Sequence, residues 1–339
     1  MSGVTFSPPS SCTKAEFDAI AAQAIKEYGD GVADAAGNNR NLFHAAATYS
    51  AVAGPGALGG TNGGWMRFKQ NLDFPENAGL DTTVAYIEEI VKQYPCITFA
   101  DATTFVGAVL TEAAGGPAVA WMPGRSDADK TPENPLIASR LPDGTFTSSG
   151  VVYYYTQLGL TDRELAVLNG GGHSIGGAGA GQSGWNGTFT PFGGASFPTP
   201  KNLYFVQTFE NQWIPQVTKK SDGKLRVQYV LADDNNEPIL SNSGAYVIRI
   251  PSDVAILLDG REPTAWCVFE LELACGVARL DSAACASSRC SSRCSSRSTY
   301  ERSFCSFPFQ GLLVLQGCGF VHGGLWQGVA TDQPAGFVF

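Results

Sequence analysis

Two Thr-x-x-Glu boxes, Thr13-x-x-Glu16 and Thr161-x-x-Glu164, open segments whose apolar residues recur at helical spacing. In such a box the Thr hydroxyl and the Glu carboxylate each satisfy a backbone N–H that a first helical turn leaves unpaired, so the pair marks a helix start. After the first box, Phe17, Ile20, Ala21, Ala24 and Ile25 fall on one face. A second helix is expected over about 32–53. Asp81 opens a third with inner residues Val84, Ile87, Ile90 and Val91, and Pro95 follows its end. A fourth is expected over about 103–114, stopping at Gly115-Gly116, and helix resumes over 151–158. The second box leads into a helix ending at Gly170-Gly171-Gly172. Residues 54–64 and 122–145 are Gly- and Pro-rich crossings; 225–231 and 246–250 are short strand candidates. The chain therefore reads as mainly α with few strands.

At 339 residues the chain is long enough for two compact lobes or one large domain. Hydrophobic residues at 44% against 16% charged exclude wholesale disorder. A net charge of −9 repels phosphate backbones and argues against nucleic acid as a partner. Of nine cysteines, only Cys12 and Cys96 lie in the first 266 residues, whereas a fold stapled throughout would spread them. A reducing compartment is therefore expected. Residues 1–6 carry neither a basic nor an apolar signal region, so the chain as written is expected not to be secreted. No segment is expected to span a membrane; the uncharged stretch 303–331 is broken by Gly, Gln and His. The run 287–298, Ser-Ser-Arg-Cys twice and then Ser-Ser-Arg-Ser, reads as low-complexity loop.

There are three histidines, His44, His173 and His322. Arg40 and His44 are four apart and share a helix face. One reading is a surface Arg and a satisfied helix His. The other is a site in which the His shuttles a proton between peroxide oxygens and the Arg holds charge on the leaving one. His173 follows three glycines at a helix end, where it could cap the helix or ligate a flat ligand such as haem. A ligating His needs an acceptor on its other ring nitrogen. Asp253 is one candidate, which spacing alone does not select.

The strings in order resemble the plant-type haem peroxidase superfamily, and within it the intracellular branch of cytochrome c and ascorbate peroxidases. Arg40-Asn-Leu-Phe43-His44 matches the distal motif, and Pro75-Glu-Asn77-Ala-Gly-Leu80 the segment whose Asn bonds the distal His. Phe99-Ala-Asp101, Pro123-Gly-Arg125 and Arg140-Leu-Pro142-Asp143 follow in the family's order. Gly-Gly-His173-Ser-Ile-Gly matches the proximal motif and Ile250-Pro-Ser-Asp253 the segment of the proximal Asp. The likeness covers about residues 14–262.

The resemblance implies a two-lobed helical fold, distal lobe 1–145 and proximal lobe 146–339, with haem b between them. It makes His44 the general acid/base, Arg40 the charge stabiliser and Asn77 the orienter of His44. His173 becomes the iron ligand and Asp253 its acceptor. Phe43, Arg125, Pro142 and Phe189 fall among the residues around the haem. Hydrogen peroxide is then the oxidant in a protein of oxidative stress response, cytosolic or in a plastid or mitochondrion.

Departures from the pattern inform the donor. Phe43 and Phe189 stand where close intracellular relatives carry Trp, which argues against a proximal tryptophan radical and a cytochrome c donor. Gln182 stands where ascorbate-using relatives carry Arg, and cannot offer a cationic fork. Ala33, Gly37 and Gly179 stand where manganese-oxidising relatives carry acids. Lys201 replaces the Asp of a proximal cation site to which Ser174 and Thr190 could contribute, so no calcium or potassium is expected. Small aromatic donors oxidised by one-electron steps are the first expectation, with a protein redox partner left open. The alternatives are an ascorbate- or cytochrome c-type enzyme with a non-standard donor site, or a haem-binding relative without turnover. Residues 267–300, with Cys285, Cys290 and Cys294, are expected to be an insertion or a gene-model artefact without a zinc site, and His322 to be structural or exposed.

Overall fold

The structure is a computed structural model and describes residues 4–53, 58–131, 140–192, 194–196 and 212–258. Lys201, the seven cysteines from Cys267 to Cys318, the Ser-Ser-Arg-Cys run, the segment 267–300 and His322 lie outside the described residues. Eight α-helices and five short strands are present among those described.

Helix α1, Lys14–Gly29, begins at the first capping box, with both reciprocal bonds made. Phe17, Ile20 and Ala24 turn inward, whereas Ile25, expected on the same face, is 50% exposed. Helix α2 spans Ala35–Ala46, shorter than expected at both ends. Asp34 fixes the start by accepting from Ala36 N and Gly37 N, each at 3.0 Å. Past the end, the Thr48 hydroxyl takes Gly60 N at 2.8 Å and bonds back to Ala45 O at 2.7 Å, which turns the chain away. Helix α3 is the short Lys69–Leu72, between single 3₁₀ turns at Trp65–Arg67 and Pro75–Asn77. Helix α4, Asp81–Gln93, matches expectation.

Helix α5, Phe99–Ala113, starts earlier than expected because Thr98 caps it and the Asp127 carboxylate takes Phe99 N and Ala100 N at 2.7 and 2.9 Å. Helix α5 is the floor of the first core, built from Ile20, Val84, Ile87, Ile90, Val106 and Leu110. Gly107 lets α2 approach closely: a Cβ there would lie 3.0 Å from Leu42 Cδ2. That approach seats the helix carrying Arg40 and His44 on the most buried helix of the fold.

A second core joins helix α6, Ser148–Gln157, helix α7, Asp162–Gly172, and helix α8, Pro251–Leu258. It contains Ala47, Leu141, Val151, Tyr155, Leu158, Leu165, Leu168 and Ala255. Strands β1, Gly177–Ala178, and β2, Gly187–Thr188, form a small antiparallel pair. Strands β3, Gln212–Lys219, β4, Leu225–Ala232, and β5, Ile248–Arg249, form an antiparallel sheet in that order, with Val217 opposite Val227. The sequence reading anticipated β4 and β5 but not β3. Pro215 argues against a central strand, and the structure places it on an edge strand, where a missing N–H is tolerated.

Cys12 and Cys96 form a disulfide with Cα atoms 4.8 Å apart. The expectation of a reducing compartment, argued from the cysteine distribution, does not anticipate this bond. The spread of the two cysteines along the chain hid the contact, which arises because Ser11 N bonds Cys96 O at 2.8 Å and Ser10 Oγ takes Thr98 N at 2.9 Å. The bond closes a loop across 84 residues. Replacing both with Ser is expected to lower unfolding free energy by about 2–4 kcal/mol. Urea titration without reductant checks this, and the difference should vanish when the native protein is reduced. Among the described residues no helix is long and apolar enough to cross a membrane.

Candidate active site

Arg40 and His44 project from one face of α2. His44 Nδ1 lies 2.7 Å from Asn77 Oδ1. Asn77 is only 3% exposed and its Nδ2 donates to Asn71 O at 2.7 Å, so its amide oxygen is the atom facing His44. An amide oxygen only accepts. The His44 proton is therefore on Nδ1, and Nε2 carries a free lone pair. Arg40 donates to Glu76 O at 2.7 Å and Ala78 O at 2.9 Å. One segment, 75–79, thus clasps both side chains, and Gly79 at φ +83° allows its turn. The Phe43 ring meets His44 edge-on, 5.9 Å between centroids, and its other side joins the second core.

Burial first, then the Arg40 charge and His173, depress the His44 pKa to about 3, against the Asn77 bond, which raises it. The His44 imidazole is neutral at physiological pH. Burial also lowers the Arg40 pKa from its high ordinary value, while the residue as a whole stays exposed.

The second capping box starts α7, and His173 closes it, its N–H bonding Asn169 O at 3.1 Å. The capping role does not exhaust this residue. His173 Nδ1 lies 2.6 Å from Asp253 Oδ1. Asp253 sits in the first turn of α8, fully buried, and its Oδ2 takes Ile250 N at 3.0 Å. Burial alone would raise the Asp253 carboxyl; His173, Arg249 and the Ile250 N–H together hold it below the ordinary carboxylate value. A carboxylate only accepts, so His173 Nδ1 carries a proton and donates it to Asp253. Phe189 stacks on the His173 ring at 4.3 Å and 18°. Asn169, a residue the sequence reading missed, donates from Nδ2 to Asp253 Oδ1 at 3.2 Å. Its signal was available: a polar residue four before a candidate ligand shares that ligand's helix face.

A family profile described as Peroxidase matches residues 17–219. A Mycosarcoma maydis protein named as a heme-binding peroxidase is 33% identical over 248 residues, 71% of this chain and 68% of that protein. The chain belongs to the peroxidase family. A mitochondrial cytochrome c peroxidase of Emericella nidulans is 33% identical over 65% of this chain and 54% of its own length. L-ascorbate peroxidase 5, peroxisomal, of Arabidopsis thaliana is 33% identical over 55% of this chain and 62% of its own length. The family is therefore the plant-type haem peroxidases, on the side of the intracellular class, and the chain is a haem-dependent peroxidase by membership.

The remaining expected residues of this peroxidase fall into two groups. Arg140, beside Pro142, donates to Thr48 O at 3.0 Å and Leu58 O at 2.8 Å, and Gly144 O takes Ser252 N at 3.0 Å. The half-buried Pro142 thus lies on a segment tying the end of α2 to the start of α8. Arg125 goes elsewhere: its guanidinium pairs with the buried Asp101 at 3.1 Å and bonds Thr61 Oγ1 and Met122 O. Those contacts belong to the start of α5, and none reaches either histidine. Asp34, one residue from a manganese-ligand position, has its carboxylate committed to the α2 cap. Near the expected cation position, Ser174 Oγ bonds Gly170 O at 2.6 Å, while the buried Thr190 Oγ1 has no partner among the described residues.

Proposed function

We propose that the chain reduces hydrogen peroxide on a haem b held between His44 and His173, and draws single electrons from small aromatic donors. The observation that carries this reading is the pair of imidazoles, each with its Nδ1–H engaged, one by an amide oxygen and one by a carboxylate. The residues fit the group. An imidazole whose outer nitrogen bonds a buried carboxylate is a metal-ligating arrangement, and His173 supplies it. Haem when bound supplies an iron that accepts peroxide oxygen and stores two oxidising equivalents.

The chain's own residues do the rest. His44 Nε2 takes the proton from the near peroxide oxygen and returns it to the far one, which leaves as water. Arg40 sets a fixed positive charge beside the separating oxygen. Asn77 locks the His44 tautomer on which the transfer depends. Phe43 and Phe189 close the site with apolar rings that are hard to oxidise. Asp253 strengthens His173 as a donor by accepting its proton's hydrogen bond. A mere haem store needs neither the His44–Asn77 clamp nor Arg40, which supports turnover.

The donor follows from what the site lacks. Gln182 lies over Gly179 as a neutral amide, where an Arg would offer a charged fork to an anion. A phenol such as guaiacol is expected to give at least about tenfold higher kcat/KM than ascorbate, the size of one missing charged hydrogen bond. Steady-state assays with both donors check this, and an ascorbate preference would overturn the aromatic reading. The proposal keeps the lobe division at 145/146, the absence of calcium and potassium, and an intracellular setting, which the mitochondrial and peroxisomal names of relatives support.

A further inference from the structure

Asp253 Oδ1 accepts two hydrogen bonds, from His173 Nδ1 at 2.6 Å and from Asn169 Nδ2 at 3.2 Å. Both donors stand on the same face of α7 and its closing residue, one turn apart. Asn169 is 9% exposed, and the Tyr155 hydroxyl, itself buried, contacts its Oδ1 at 3.5 Å. A carboxylate can accept only from the amide nitrogen, which fixes the amide and leaves its oxygen to accept from the Tyr155 hydroxyl.

We propose that Asn169 is a positioning residue that sets the electron-donating strength of His173 by sharing its carboxylate acceptor. The inference rests on His173 being the iron ligand. A carboxylate oxygen that accepts a second hydrogen bond has less negative charge left to polarise the first. With Asn169 in place, the His173 Nδ1–H is pulled less strongly, Nε2 is a weaker donor, and ferrous iron is less disfavoured. Tyr155 keeps the amide facing the carboxylate. No other polar side chain is bonded to Asp253 Oδ1 among the described residues.

The test is Asn169→Leu in the haem-loaded full chain, read by the ferric/ferrous reduction potential and by the iron–histidine stretching band of the ferrous form. Expected is a shift of about tenfold toward ferric iron, about 59 mV downward for one electron, with the band at higher frequency. Tyr155→Phe, which leaves the amide in place but frees its orientation, should move both readings the same way by less, and it serves if Asn169→Leu fails to fold. An unchanged potential and band in a folded, haem-loaded variant overturns the role, because a merely structural Asn would alter stability and not these. Absence of an iron–histidine band in the unaltered protein is a different result: it removes His173 as ligand, and this role with it.

Discussion

Replacing His44 with leucine is expected to slow the reaction of the haem-loaded protein with hydrogen peroxide by about 10²–10⁴-fold. Leucine keeps the volume and the apolar packing beside Phe43 but removes the imidazole that Asn77 holds. Stopped-flow absorbance at several peroxide concentrations reads the bimolecular rate constant directly. A loss of less than about threefold would mean that peroxide activation does not pass through His44. The pH profile of the unaltered protein carries the same argument. The imidazole accepts a proton only when neutral, and its pKa is depressed to about 3 by burial, Arg40 and His173. The rate constant should therefore stay flat from neutrality to about pH 4 and decline only below that. Stability behaves differently. An unfolded imidazole binds a proton at its ordinary value near 6.5 while the folded one does not, so unfolding becomes easier as pH falls below about 6.5.

Asp253→Ala should be the most damaging change on the opposite side. It would leave His173 Nδ1–H, the Asn169 amide and Ile250 N–H without the acceptor they share in a fully buried place. Stranding buried donors beside the Arg249 charge is expected to cost about 3–5 kcal/mol of stability. Haem affinity is expected to drop about 10–100-fold, the usual effect of losing a ligand's hydrogen-bond partner. Urea unfolding of the apoprotein and transfer of haem to an acceptor protein measure the two separately. Unchanged haem transfer would place the supporting partner of His173 elsewhere.

The helices and the site were legible to different degrees, for physical reasons. Both capping boxes use bonds within one turn, so sequence alone locates them, and both are formed. The α2 limits were misjudged because they are set by the Asp34 cap and by the Thr48–Gly60 bond, the second of which is not local. The pairing of His44 with Asn77 and of His173 with Asp253 was foreseen through ordered motifs, not spacing, since partners 33 and 80 residues apart leave no periodic trace. Asn169 was overlooked because a lone Asn in a helix is ordinary until its carboxylate neighbour is known. The disulfide was hidden for the same reason. Arg125 lay in the right order, but order does not report which way a side chain turns, and here it turns to Asp101.

The two histidine neighbourhoods close over very different lengths of chain. His44 needs only the segment through Asn77, whereas His173 gains its acceptor from α8, the last described helix. During synthesis the first pairing can form while most of the protein is still unmade, and the second must wait for residue 253. Contacts of such long sequence separation form late and slowly. With His173 as the proposed iron ligand, haem capture becomes a checkpoint for this stretch of chain: a nascent chain halted before α8 should hold haem weakly.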